Sequence, residues 1–450
     1  MKRRSFTKAG MISVAAGFSG CARTEEKPGP VTADTEPVSY GIQYYRKAVE
    51  VWELEATSEL PLIAEAADKA AECLKKGGTL YSQANFGHML NSELRQGRLG
   101  SPDYFSTWEW TVKSDVFDVV GEGDFLIFDA TKIGIKKAHD RGAFTVGVRV
   151  PYVPNRTVPA GVLSTYSFTD NLLTEDVSDL VLTTGVPFTN GVLHYPEIPA
   201  VRPCPLSVQG VGNIMWMLNA EVAMRDKGGA AAGSTEKATE FITAVSGRGA
   251  KIAAEIDRID GIAQAMTGYV RDGARYWNYS SGCEMVLENI ARASGLPMTN
   301  RLSDDMLADE VKLREEVKAG HFCIISGEAS DIEGNYTAAQ RLKNIGVNII
   351  YIGPASTEGR TGNDIASLAD WHIDTYSPER YGILDVPGFD QKICPATGVL
   401  YALSLWMLNA QFIQRMIEAD MTPGLDMGGH LIGGNGYNKD VRAIVKERGW

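Results

Sequence analysis

The chain has 450 residues, with 44 basic and 56 acidic side chains and a formal net charge of −12. This acidic balance argues against nucleic acid as a partner and against a basic face that lies on a membrane. The length and the 44% hydrophobic content allow more than one domain, each with its own core.

The first twenty residues are typical of an export signal. Lys2-Arg3-Arg4 is followed by a short apolar stretch over 9–18 and then by Cys21. This order predicts a twin-arginine signal over 1–20 that ends at a lipidation site, so that Cys21 becomes the lipidated N-terminus. Residues 21–39 are rich in Thr, Pro, Glu and Gly and are interpreted as a flexible stalk. We therefore predict a protein of the bacterial cell envelope that faces the periplasm and touches the membrane only through Cys21.

The segment that follows alternates between helical and extended patterns. Apolar residues at spacings of three and four predict helix over 40–76, which stops at Gly77-Gly78. Short apolar runs then predict four strands, of which the near-continuous ones are typical of strands buried on both faces of a parallel sheet. These strands are predicted at 79–81, 124–128, 144–148 and 180–182.

The same order of elements returns after a Gly- and Ala-rich linker at 227–234. Helical periodicity runs over 236–270, and the predicted strands lie at 275–277, 321–325, 347–351 and 371–373. Strands that alternate with helices predict an α/β fold with a doubly wound, Rossmann-like parallel sheet of the flavodoxin type in each segment.

A sequence repeat explains why the order returns. The pentapeptide Trp216–Ala220 recurs unchanged at 406–410, which indicates a tandem duplication with domains at 40–226 and 235–450. We interpret the pentapeptide as part of a packing helix that places Trp216 and Trp406 on the sheets, with Ser207 and Thr397 as helix caps. Ten further residues match between the copies. They are Cys204 with Cys394, Asp179 with Asp370, Pro187 with Pro378, Gly191 with Gly382, Pro196 with Pro387, Gly78 with Gly273, Tyr81 with Tyr276, Gly87 with Gly282, Glu93 with Glu288, and Gly100 with Gly295.

Three segments carry a resemblance to a known family. They are Gly87-His88-Met89-Leu90, the run 370–398 with Val386-Pro387-Gly388, and the tail 428–438 with its Gly-Gly pairs and final Asn. In these the chain resembles the SIS (sugar isomerase) phosphosugar-binding family, in an uncharacterised bacterial branch and in tandem duplicate. The resemblance implies two SIS domains side by side, related by a pseudo-twofold axis, and a small sugar or sugar phosphate as ligand.

The loops depart from the family's pattern, which places a serine-rich loop after the second strand. Copy one has Asp129-Ala130-Thr131-Lys132 there, whereas copy two has 326–330, Ser-Gly-Glu-Ala-Ser. Ligands of doubly wound sheets bind beyond the carboxyl ends of the strands, where backbone N–H groups and hydroxyls can hold a phosphate. Helix capping is the alternative role for any one of these serines. The candidate sugar- or phosphate-binding residues are Asn278, Ser280, Ser281, Gly282, Ser326, Ser330 and Thr131.

Catalysis of an aldose–ketose isomerisation needs a group that moves a proton between adjacent carbons, and often a second group that opens the sugar ring. The candidates are Glu284, His430 and His88. The alternatives are that Glu284 only favours a helix N-terminus and that His88 is a buried structural histidine.

Two functional hypotheses follow. In the first, an exported lipoprotein binds a sugar or sugar-phosphate derivative and isomerises it; in the second, it is a non-catalytic carbohydrate-binding or sensing lipoprotein. Cys-x-x-Cys pairs and Cys/His clusters are absent from the sequence, so we expect no metal. The sequence has no Walker loop, and 433–436 lacks the context of a dinucleotide fingerprint, so we expect no cofactor. Nucleic acid is not expected as a partner, and assembly into a homo-oligomer is left open.

Overall fold

The computed structural model describes residues 38–450 except 85–96, 110–113, 151–155, 157–171, 282–284, 291, 328–331, 356–363 and 379–380. Ser39–Trp450 forms one compact unit. The predicted signal, most of the predicted stalk and Cys21 lie outside the described residues and stay predictions. Within the described ranges, no helix combines the length and the apolar character that crossing a bilayer would require.

The first half of the chain contains five strands and four α-helices among its described residues. A π-helical segment, Glu55–Glu59, joins the first two helices, so the predicted helix over 40–76 is continuous but changes its winding. In chain order the elements are α1 Tyr40–Leu54, α2 Leu60–Lys75, β1 Leu80–Ala84, β2 Phe105–Glu109, β3 Phe125–Phe128, α3 Ile133–Asp140, β4 Phe144–Arg149, β5 Leu180–Thr183 and α4 Ser207–Asp226.

The second half repeats this order and adds short helices and a C-terminal helix. Its elements are α5 Glu236–Ala254, α6 Ile256–Arg271, β6 Tyr276–Tyr279, α7 Met285–Ile290, β7 Thr299–Arg301, α8 Asp304–Ala308, α9 Glu310–Glu316, β8 Phe322–Ser326, α10 Ile332–Ile345, β9 Asn348–Gly353, α11 Ile365–Leu368, β10 Trp371–Asp374, α12 Thr397–Glu418 and α13 Gly434–Glu447.

Each half builds one five-stranded parallel sheet. The strand orders are β2-β1-β3-β4-β5 and β10-β9-β8-β6-β7, which is the order 2-1-3-4-5 of flavodoxin-type sheets in both halves. The predicted doubly wound α/β fold in tandem is therefore confirmed. The direction of winding reverses between β1 and β3 and between β6 and β8, where Tyr276 pairs with Phe322. A crevice at the carboxyl ends of these strand pairs is the expected ligand position.

Two edge strands were absent from the prediction. β2 (Phe105–Glu109) and β7 (Thr299–Arg301) pair only with β1 and β6, respectively. Their sequences, Phe-Ser-Thr-Trp-Glu and Thr-Asn-Arg, lack the continuous apolar run that a central strand shows. The other eight strands lie within three residues of their predicted bounds.

The two long helices α4 and α12 lie at the centre of the core. Nearly every side chain along them is buried, including Trp216 and Trp406, as in a helix surrounded by protein. Helix α2 packs on α4 and α6 packs on α12, each within its own half. Helix α1 of the first half, however, packs on α12 of the second half. Helix α5 of the second half packs on α4 of the first half, so the first helix of each half lies against the other half. The predicted boundaries at 226 and 235 stay predictions.

Candidate functional site

Two serines meet at the switch point of the second sheet. Ser280 follows β6 and Ser326 ends β8, and Ser326 Oγ donates a hydrogen bond of 2.8 Å to Ser280 Oγ. Ser326 is fully buried, while Ser280 keeps 8% of its surface exposed. In this contact the Ser280 oxygen is the acceptor, and a serine hydroxyl that accepts can also donate.

Asn335 ties the two loops of this switch point together. It lies near the start of α10, and its Oδ1 accepts a hydrogen bond of 2.8 Å from the N–H of Ser281. Its Nδ2 donates to the backbone oxygen of Ser326 over 3.3 Å. Sequence reasoning missed Asn335; an amide early in the helix that follows a serine loop is the signal that could have found it.

Close backbone packing fixes the loop beside the serines. A Cβ on Gly327 would lie 2.5 Å from both Gly353 Cα and Tyr351 Oη, so only glycine fits. The ends of β8 and β9 are thereby in close backbone contact directly after Ser326.

Asn278 lies in a buried hydrogen-bond network separate from the serine pair. Its Oδ1 accepts from Asn289 over 2.5 Å, and Asn289 also donates to Tyr276 Oη over 2.7 Å. Asn409 completes this buried network, donating to Asn289 Oδ1 over 2.9 Å. The repeated pentapeptide thus contributes a polar side chain as well as packing, and Asn278 is held within the network.

Thr131 lies at the corresponding point of the first sheet, after β3. Its hydroxyl donates to the backbone oxygen of Leu172 over 3.0 Å. Its neighbours Asp129 and Lys132 are buried there. The structure therefore separates Thr131 from the serine pair, which belongs to the other sheet.

His430 contacts the first half. Its Nε2 lies 2.7 Å from the backbone oxygen of Phe188, and the two rings meet edge to face. Because a carbonyl oxygen only accepts, Nε2 carries the proton. Burial lowers the pKa of His430 to about 4, so the ring is neutral at pH 7. Its catalytic role stays a prediction.

The remaining predicted residues cannot be placed. Glu284, His88, Gly282 and Ser330 lie outside the described residues.

A buried ion pair of the second half contacts the first half through its arginine. Arg292 Nε lies 3.2 Å from Glu288 Oε2, and Trp406 Nε1 donates to Glu288 Oε1 over 2.7 Å. Arg292 also donates to the hydroxyl of Ser207 in the first half. Sequence reasoning matched Glu288 to Glu93 between the copies but assigned it no partner.

The first half has an equivalent of the hydrogen bond between Arg292 and Ser207. Arg98 donates to Thr397 Oγ1 over 2.9 Å, and its guanidinium lies 5.6 Å from the centre of the Trp216 ring. Ser207 and Thr397 are the first residues of α4 and α12 and do not cap them, so the predicted capping role is wrong. The amides at the start of α4 donate instead to Asn190 Oδ1, over 3.3 and 3.2 Å.

The environment of Glu288 changes its acidity. Burial raises its pKa from 4.5 to about 7, while Arg292 and the Trp406 hydrogen bond act in the opposite direction. Loss of the cation would therefore raise the pKa further.

No family model matches the chain. A UPF0309 protein of Caldanaerobacter subterraneus is 27% identical over 143 residues, a segment covering 30% of this chain and 58% of that relative.

Two solved structures are similar in architecture. The C-terminal domain of glucosamine-fructose-6-phosphate aminotransferase from Francisella tularensis has a TM-score of 0.49 and 9% identity, covering 85% of this chain and 97% of that chain. Tagatose-6-phosphate ketose/aldose isomerase from Escherichia coli has a TM-score of 0.49 and 12% identity, covering 86% and 95%.

Proposed function

We propose that the chain binds a sugar or sugar phosphate at the switch point of its second sheet. The observation that carries this proposal is the hydrogen bond of 2.8 Å between Ser326 and Ser280 in the expected crevice. Ser280 would contact the ligand, and Ser326 and Asn335 would position it.

The chemistry of this crevice suits a phosphate or a sugar hydroxyl. Serine hydroxyls and the backbone N–H groups of a loop that opens a helix can hold an anion without a lysine. The corresponding point of the first sheet carries buried Asp129 and Lys132 and a threonine that donates to Leu172, in place of the serine pair. We therefore place the ligand in the second half.

Isomerisation is the proposed reaction, with Glu284, His88 and His430 as its candidate acid–base groups. A non-catalytic binding protein is the second candidate. It is favoured by the engagement of two buried ionisable groups of the second half, since His430 donates to Phe188 and Glu288 is held by Arg292 and Trp406. Proton transfer during turnover would require a group free to change its charge.

Replacement of Ser280 by alanine tests the site. A hydrogen bond to a charged group contributes about 1.5–3 kcal/mol, so we expect sugar-phosphate affinity to fall at least ~10-fold. Ser326→Ala should produce a smaller loss, because it acts through Ser280. Calorimetric titration with glucose 6-phosphate, fructose 6-phosphate and the free sugars measures both effects.

Thr131→Ala is the matched control, since it removes a hydroxyl from the equivalent point of the first sheet and should leave affinity unchanged. Equal affinity of Ser280→Ala and the unmodified chain would contradict the proposal. NMR of bound and free sugar then separates the candidates, because only an isomerase converts glucose 6-phosphate to its ketose.

The proposal includes export and lipidation at Cys21. Cys21→Ala should move the protein from the membrane fraction to the soluble fraction of the producing bacterium, as followed by immunoblotting. Soluble protein in both cases would contradict a lipid anchor.

A further inference from the structure

A cavity lies away from the serine pair. It has a volume of about 960 Å³ and opens beside the loop 381–392 of the second half. Its other walls are Pro378, Met224 near the end of α4, and Glu236 and Lys237 at the start of α5. The volume is at the upper end of the range of small-molecule sites, about 300–1,000 Å³. We call this cavity the second-half groove.

The loop that forms the groove is held in place by its own backbone. Leu384 and Ile393 form an antiparallel bridge, and the N–H of Gly382 donates to the oxygen of Lys392 over 3.0 Å. The N–H of Ile383 donates to the oxygen of Cys394 over 3.1 Å. The walls are therefore formed before any ligand arrives.

The charges around the groove do not favour an anion. Lys237 Nζ lies 2.6 Å from Glu240, and Lys392 Nζ lies 3.2 Å from Asp385, so both cations are compensated. Glu236 and Asp390 add two carboxylates to the lining. A phosphate or a carboxylate ligand would meet a net negative field.

Two aromatic rings distinguish this groove from its counterpart in the first half. Tyr381, which is 36% exposed, and the partly buried Phe389 line it. The positions 191 residues earlier hold Asn190 and Ile198. Asn190 is used to cap α4, so the second copy has a ring where the first has a structural amide.

The first half has a smaller cavity under the equivalent loop. Its volume is about 430 Å³, and it is lined by residues that include Lys47, Glu50 and Arg202. The lining residues that the structure describes there include no aromatic ring. The two halves therefore differ in the volume of this groove and in its aromatic lining.

We propose that the second-half groove binds a neutral saccharide. A sugar ring has an apolar face of C–H groups, which packs on an aromatic wall, and an edge of hydroxyls, which bind amides and carboxylates. Tyr381 and Phe389 supply the wall, and Gln391 and Asp390 supply the polar groups. This site is distinct from the serine crevice and does not depend on the function proposed for it.

Titration of the full chain with maltose, cellobiose and the N-acetylglucosamine disaccharide at millimolar concentrations tests the proposal. We expect at least one to bind and Tyr381→Ala to weaken its binding about 10-fold, the loss of one aromatic contact. Phe389→Leu, which keeps the packing, should also weaken it. Arg202→Ala in the first-half cavity and Ser280→Ala at the serine crevice should leave it unchanged.

Three results would overturn the proposal: no binding of any of the three disaccharides, equal binding by Tyr381→Ala, or loss of binding in Ser280→Ala. The last would mean that the disaccharide occupies the serine crevice. Because Tyr381 is exposed, unchanged circular dichroism of Tyr381→Ala will show that the fold is kept.

Discussion

Replacement of Arg292 by alanine is expected to lower the free energy of unfolding by about 3–5 kcal/mol at pH 8, the usual cost of leaving one partner of a buried ion pair alone. Arg292 and Glu288 are both almost fully buried, and their closest atoms are 3.2 Å apart. The variant would also remove the donor to Ser207, and with it a bond between the two halves.

The loss of stability in Arg292→Ala should be larger at high pH than at low pH. The pKa of Glu288 is about 7 in the folded chain and 4.5 without these contacts, so the folded state holds the proton more tightly. The contribution of this carboxyl to stability therefore falls as the pH rises from about 4.5 to about 7. Without Arg292 the folded pKa rises further, and the additional loss appears mainly above pH 7. Urea unfolding at pH 6 and pH 8 should show the larger difference from the unmodified chain at pH 8.

Arg314→Ala is the matched control, because Glu310 and Arg314 form a pair with the same spacing that is about half exposed. Its loss should be below about 0.5 kcal/mol. The double variant Glu288→Gln/Arg292→Met should recover much of the stability, since it leaves no unpaired buried charge. Equal losses in Arg292→Ala and Arg314→Ala would contradict a stabilising role for the buried pair and for the Arg292–Ser207 bond between the halves.

The sequence predicted the parts of this molecule that depend on local patterns. Alternating helices and buried apolar runs gave the two parallel sheets, and the convergence of strand ends placed Ser280 near Ser326. The edge strand at 299–301 was missed because three polar residues carry no strand pattern.

Long-range pairing was the part that the sequence left open. The periodicity of α1 shows that one face is buried, but it does not say that the face meets α12 of the other half. The capping role of Ser207 was also predicted wrongly because its contacts are with residues distant in the sequence. A serine at a helix start usually caps, but here Asn190 supplies the cap and the hydroxyl accepts from Arg292. The tyrosine that distinguishes the second-half groove could be found only by aligning the copies and locating the cavity.

Gly382→Ala is expected to cost about 3 kcal/mol or more, because a side chain at this position has no space. Its Cβ would lie 1.7 Å from the carbonyl carbon of Ile393. Ile393 cannot move aside cheaply, since its N–H and C=O both bond to Leu384 over 2.9 and 3.1 Å. The next residue, Cys394, donates its N–H to Gly100 in the first half over 2.8 Å. The clash must therefore disturb the loop or the contact between the halves.

Gly247→Ala provides a control of opposite sign. Gly247 lies inside α5, and a Cβ there would meet no atom within 4 Å. Alanine in a helix interior is favoured over glycine by about 0.5–1 kcal/mol, so this variant should be more stable. Thermal and urea unfolding of both variants measures the difference. If Gly382→Ala unfolded at the same denaturant concentration as the unmodified chain, the loop would have to be free to move, and the preformed groove beside Tyr381 would lose its structural basis.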